Sequence, residues 1–183
     1  MKPTEIIAPR ILVIDDNIAI HEDFRKILCV GNSPLGGLEN ELFDSAPKVA
    51  ERIPFRVDSA SQGQEALHYV EKAVRDEDPY TVAFVDVRMP PGWDGVETIE
   101  RIWRICPEMQ CVICTAYSDY SWDEITSRFG YTDNLLILKK PFESAEVLQL
   151  AHALTRKWAL GRQVRFCLED LALTEQQDKT EIR

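Results

Sequence analysis

The chain has 183 residues, 45% of them hydrophobic and 28% charged, with a formal net charge of -10. That length supports one well-filled core with an appendage, and the acidic balance argues against a duplex DNA-binding surface, which needs a basic stripe. No apolar stretch nears the roughly 20 residues of a membrane span, and MKPTEIIAPR lacks the apolar centre of a signal peptide, so a cytoplasmic protein that binds neither membrane nor nucleic acid directly is expected.

Arg10–Ile14 reads as a strand that stops on two adjacent carboxylates and an amide, Asp15-Asp16-Asn17. Residues 18–30 follow as a helix with Ile20, Phe24, Ile27 and Leu28 on one face. GNSPLGG at 31–37 is a loop by composition, and 38–54 has no clean period, so 31–54 reads as an insertion, a surface elaboration in preference to a partner-specific site. Residues 55–58 predict a short strand. Ser61-Gln62-Gly63-Gln64 resembles a capping box opening a helix that turns Ala66, Leu67, Val70 and Val74 inward. The run at 81–86 is nearly all apolar and predicts a strand buried on both faces. After the turn at Pro90-Pro91-Gly92, Asp94 starts a helix with Val96, Ile99, Trp103 and Cys106 inward, and Pro107 stops it. Gln110–Thr115 is the fourth strand. It carries Cys111 and Cys114, whose spacing sends the two sulfurs to opposite faces, so they fill core rather than chelate a metal. An odd count of five cysteines suits a reducing compartment. Residues 121–129 predict a short helix ended by Gly130, Leu135–Lys139 the fifth strand, and Phe142 begins the last helix. His21, His68 and His152 fall on predicted helices as surface or boundary residues.

Five strand–helix units in alternation predict a parallel sheet covered by helices on both faces, with any site beyond the carboxyl ends of the strands. Those ends deliver Asp15 and Asp16 from strand one, Asp86 from strand three, Thr115 from strand four, and Lys139-Lys140-Pro141 from strand five. Three carboxylates so close call for a cation, and oxygen ligands with room for water suit Mg²⁺. One carboxylate can then attack phosphorus, with a Lys ammonium and a Thr hydroxyl stabilising charge on the transferring group. Asp86, carried by a central strand, is the best nucleophile candidate.

The stretches VIDDN, VDVRMPPGWDG, VICTAY and LKKPF, spread over about residues 10 to 155, resemble the receiver domain of bacterial two-component response regulators. The resemblance implies a flavodoxin-like (βα)5 fold with strand order 2-1-3-4-5. It implies that Asp86 accepts a phosphoryl group from a histidine kinase or phosphotransfer protein. It also implies that Asp15, Asp16, Asp86 and the Arg88 backbone carbonyl serve Mg²⁺, that Lys140 contacts the phosphoryl group ahead of Lys139 and precedes a cis proline, and that Thr115 switches the face formed by the fourth helix, fifth strand and fifth helix. Arg88 and Tyr117 sit where the family tunes phosphoryl lifetime. Three departures stand out: the MPPGWDG turn is one residue longer than usual, the switch position on strand five is Ile137 rather than an aromatic residue, and 31–54 lengthens the first crossover. Tyr117 or Tyr120 is the substitute candidate for the missing aromatic.

Helical character continues past the receiver. Leu150, Leu154, Lys157, Gly161, Val164, Leu168 and Leu171 follow alternating steps of four and three, an approximate heptad seam. The expected division is therefore a receiver at 1–155 and a helical extension at 156–183, which either folds back or, as preferred, projects as a parallel coiled coil that makes a homodimer or leads into a further module. Two rival readings are an Mg²⁺-dependent phosphatase with an aspartate nucleophile and a pseudo-receiver used only for assembly. Phosphatases of that kind carry D-x-D after the first strand, where this chain has Asn17.

Overall fold

The computed structural model describes residues 8–29, 54–116 and 122–181, with backbone alone at 122 and 173–181. The expectations placed on Tyr117, Tyr120 and the 31–54 insertion up to residue 53 lie outside the described residues.

Five parallel strands, β1 (Arg10–Ile14), β2 (Arg56–Ala60), β3 (Val82–Asp86), β4 (Gln110–Thr115) and β5 (Leu135–Lys139), make one sheet in the order β2-β1-β3-β4-β5. This is the flavodoxin-like arrangement expected. β1, β3 and β4 are buried along almost their whole length, because each has a neighbour on both sides and helices on both faces; β2 and β5, at the edges, are only partly buried. β2 runs two residues further than its apolar stretch suggests, since Asp58, Ser59 and Ala60 all find partners on β1, up to Ile14 opposite Ala60.

Helices α1 (Ile18–Leu28), α2 (Gly63–Arg75), α3 (Gly95–Ile105), α4 (Trp122–Phe129) and α5 (Ser144–Glu181) fill the crossovers and the C-terminal end. On one face, Val70 of α2, Ile99 and Ile102 of α3, and Ile125 of α4 pack on Leu12, Val85, Cys111 and Ile113. On the other, Phe24 of α1 and Val147, Ala151 and Leu154 of α5 pack on Ile11, Phe84, Val112 and Cys114. Cys111 and Cys114 thus belong to opposite faces, as their spacing requires, and burial pushes the Cys114 thiol up to about 12.

Three local expectations are corrected. His21 is not a surface residue: it is 6% exposed, on the stripe with Phe24 and Leu28 that the steps of three and four define. Ala73 rather than Val74 is the inward residue of α2, whose apolar face runs Ala66, Val70, Ala73. The predicted capping box does not form: α2 begins at Gly63, and the Ser61 N–H donates to Glu65 Oε2 at 2.8 Å instead. Gly63 itself is required by packing, for a Cβ there would lie 2.2 Å from the Oγ1 of buried Thr98 on α3.

α5 is one helix of 38 residues. Its first half lies in the receiver: Leu154 is buried against the sheet and Leu150 packs beside it. Beyond them, the Lys157 ammonium donates to the Asp133 carbonyl and, at 3.1 Å, to Asn134 Oδ1, while Arg165 Nη1 pairs with Glu108 Oε2 at 2.7 Å. The first members of the heptad seam are therefore used by the molecule's own core, and its outer apolar members, Val164, Leu168 and Leu171, are exposed.

Candidate functional site

β1 and β3 are neighbours with Ile14 opposite Val85, so both strands release their acids at the same level of the sheet. Asp15 is almost wholly buried, Asp86 half-buried and Asp16 exposed, and each offers a carboxylate oxygen within 4.8 Å of the other two. Asp86 lies opposite Cys114 on β4, which puts Thr115 one residue beyond it, and Thr115 in turn faces Lys139 at the end of β5.

Lys140 closes the constellation. Its Nζ donates to Asp15 Oδ2 at 2.8 Å and to Asp86 Oδ1 at 2.7 Å. The neighbouring Lys139 is exposed, so the choice of Lys140 over Lys139 follows from strand alternation. The Lys140–Pro141 peptide is cis, as the resemblance implied, and so is Pro90–Pro91 in the lengthened turn. The Lys140 N–H donates to the Thr115 carbonyl at 2.8 Å, tying the ends of β4 and β5 together. Thr115 is buried, and its Oγ1 donates to the Ala116 carbonyl at 2.8 Å.

The electrostatics explain how two acids are tolerated at the ends of neighbouring apolar strands. Asp15 and Asp86 share the Lys140 ammonium; Asp15 Oδ1 also accepts the Asn17 N–H at 2.9 Å and Asp86 Oδ2 the Arg88 N–H at 3.2 Å. Burial pushes the Asp86 carboxyl above the usual carboxylate range, Lys140 opposes that shift and Asp15 adds to it. Burial alone would lower Lys140, but its bonds to Asp15 and Asp86 hold it above its ordinary value. Asp15, Asp16 and Asp86 against Lys140 leave two negative charges, so an oxygen-ligated divalent cation fits the donor set.

Some participants were not singled out from the sequence. Asn17 caps α1, its Oδ1 accepting the Ala19 N–H at 3.0 Å, and also braces Asp15 through its own N–H. Arg88, singled out from the sequence, meets Asp86 through its N–H rather than through its exposed side chain. Gly95 lets α3 start against the end of β3: a Cβ there would lie 2.3 Å from the Asp86 carbonyl oxygen, and the Gly95 N–H donates to the Val87 carbonyl at 2.9 Å. Gly95 follows the N-cap Asp94, whose Oδ1 accepts the Glu97 N–H at 2.7 Å. Ile137, at the expected switch position, is half-buried against the α2–α3 side of the core.

A five-stranded doubly wound sheet with an acid cluster and a lysine at its carboxyl edge defines a signalling receiver. The chain belongs to the response regulator receiver domain family, whose model matches residues 40–152. That span includes Asp86, Thr115 and Lys140; Asp15 and Asp16 lie before it. The family acts as the phosphoacceptor of two-component signalling, and that is the function class of this chain. No curated protein sequence matches. Solved structures with a similar fold include an adenylate cyclase from Rhodopirellula baltica, at 23% identity over 89% of this chain and 98% of that chain, TM-score 0.65. A CheY-like response regulator receiver domain protein from Methanospirillum hungatei JF-1 matches at 19% identity over 85% and 99% of the two chains, TM-score 0.60. NtrX from Brucella abortus matches at 20% identity over 88% of this chain and 30% of its own, TM-score 0.60.

Proposed function

We propose that Asp86 is the phosphoacceptor of this receiver, taking its phosphoryl group from a histidine kinase or phosphotransfer protein in the cytoplasm. The observation that carries this reading is the position of Lys140, whose ammonium bridges Asp86 to Asp15. In the transfer, an Asp86 carboxylate oxygen forms the new bond to phosphorus while the bond from phosphorus to the donor histidine breaks and its electron pair leaves with the imidazole. Lys140, at 2.7 Å from Asp86, is within reach of the charge that collects on the phosphoryl oxygens. Thr115, beyond the Asp86-facing residue of β4, is the hydroxyl proposed to bond another of them, giving up its bond to the Ala116 carbonyl.

Asp15, Asp16, Asp86 and the Arg88 carbonyl are the proposed Mg²⁺ ligands. When bound, the ion supplies charge neutralisation and orients the transferring group. Arg88, and Tyr117 after β4, are the proposed determinants of phosphoryl lifetime. Residues 1–155 form the proposed receiver and 156–183 an extension through which two copies associate. The chemistry is one phosphoryl capture and its hydrolysis rather than turnover of a substrate. Incubation with acetyl phosphate and Mg²⁺ should add one phosphoryl group per chain, and EDTA or Asp86→Asn should abolish it. Label that persists in Asp86→Asn places the acceptor elsewhere, and repeated turnover of p-nitrophenyl phosphate would favour the phosphatase reading.

A further inference from the structure

The part of α5 that leaves the receiver has two halves of opposite charge. Residues 147–168 include Arg156, Lys157, Arg162 and Arg165 and no Asp or Glu, whereas 169–181 include Glu169, Asp170, Glu175, Asp178 and Glu181 against Lys179 alone. Lys157 and Arg165 already pair with Asp133 and Glu108 of the receiver. Among the described residues no carboxylate pairs with Arg156 or Arg162. The same stretch bares an apolar stripe: Leu160, Val164, Leu168 and Leu171 are 52%, 59%, 61% and 62% exposed. Their steps of four, four and three keep them on one side of the helix, with exposed Cys167 among them. At about 100° per residue, the stripe lies about 100° around the helix from Leu154 and Arg165, which touch the receiver, so the receiver leaves it open.

We infer that two copies pair antiparallel through this stripe, the basic half of each helix against the acidic half of the other. The inference rests on the dimer proposed above and fixes its direction. A parallel pair, the arrangement the heptad spacing alone suggests, would set Arg156 and Lys157, which lie nearest the stripe in the basic half, beside the same residues of the partner, and Glu175 and Asp178 beside theirs. Reversing one helix removes both repulsions. Centring the basic half on the acidic half puts the two-fold axis between Cys167 and Leu168. Val164 then meets the partner's Leu171, Leu160 meets the turn of the partner's Glu175, and Arg156 and Lys157 meet the turns that carry the partner's Asp178 and Glu181. The receivers sit at opposite ends of the pair, each with its acid cluster free for a donor.

The test uses the full chain with Cys29→Ser and Cys167→Ser, which leaves only the buried cysteines Cys106, Cys111 and Cys114. Leu160→Cys and Glu175→Cys are made separately and oxidised mildly, alone and mixed. The antiparallel pair gives a disulfide-linked dimer in the mixture and none in either chain alone. Linkage of each variant with itself shows a parallel pair and overturns the inference while keeping the dimer. A monomeric mass in light scattering, with no linkage in any arm, overturns both. On the unaltered chain, association should weaken as salt rises from low to moderate ionic strength, because the pairing charges attract; association strengthened by the same salt would count against the antiparallel arrangement.

Discussion

Replacing Gly95 by Ala tests whether the start of α3 holds the end of β3, and with it Asp86, in place. The new Cβ would stand 2.3 Å from the Asp86 carbonyl oxygen, against 3.4 Å for the near limit of ordinary contact, so about 1 Å must be found. The obstacle is backbone, not the end of a flexible side chain, and the Gly95 N–H is anchored on Val87. Either α3 or the end of β3 moves. Overpacking of this kind costs about 1–3 kcal/mol, which for a chain of this size lowers Tm by roughly 2 to 12 °C. A displacement of about 1 Å at a reacting carboxylate can slow group transfer on the order of 100-fold. The assay is paired: melting temperature, and the rate of labelling by acetyl phosphate with Mg²⁺. Gly161→Ala is the control, since its Cβ meets nothing within 4 Å; it should gain up to about 1 kcal/mol of helix stability and label at the normal rate. If Gly95→Ala melts and labels like the unaltered chain, the close approach of α3 to Asp86 is not a constraint and the reasoning fails.

Further expectations concern the charges. In Lys140→Met, two largely buried carboxylates lose their shared cation; labelling should fall at least tenfold while calorimetry shows Mg²⁺ bound more tightly, and Mg²⁺ binding weaker than in the unaltered chain would contradict the assignment. At the opposite end of the sheet, burial raises the Asp58 carboxyl but its bonds from Arg10 and Tyr80, at 2.6 and 2.8 Å, bring it below the ordinary carboxylate value. A depressed carboxyl contributes stability above its unfolded pKa, near 3.9, which is lost as pH falls through the lower folded value. Asp58→Asn should therefore flatten the pH dependence of stability below about pH 4, and urea melts with unchanged slope there would refute it. Gly63→Ala, which drives a Cβ into Thr98 Oγ1 at 2.2 Å, should destabilise by about 1–3 kcal/mol without slowing labelling; a selective loss of labelling would mean α2 bears on the site.

Much of the fold was legible because buried strands and amphipathic helices carry different periods. The rule that sites lie beyond the carboxyl ends of parallel strands then gathered Asp15, Asp16, Asp86, Thr115 and Lys140 from four separate stretches, and the sheet order brings those strand ends together. What stayed hidden depends on long-range register or on backbone approach. The network in which Arg10 binds Asp58, Tyr80 and Asp78 joins residues 48 to 70 apart and has no local pattern. Gly95 and Gly63 look like ordinary turn and helix-start glycines until their neighbours are known. His21, expected at the surface or its boundary, lies on the buried side of that boundary, because an imidazole fits a core edge as readily as a surface. The direction in which the outer helix pairs is not legible in its spacing: a heptad records which residues face a partner, whereas the charges along α5 bear on which way that partner runs.

Which carboxylate carries the phosphoryl group is the most direct test of the role assigned to Asp86. After incubation with acetyl phosphate and Mg²⁺, borohydride reduces an acyl phosphate to an alcohol and marks the carboxylate that bore it. Peptide mass spectrometry should then find residue 86 as homoserine, and only in the presence of the metal. Modification at Asp15 or Asp16 instead, or none at any carboxylate under conditions that label another receiver, would contradict it.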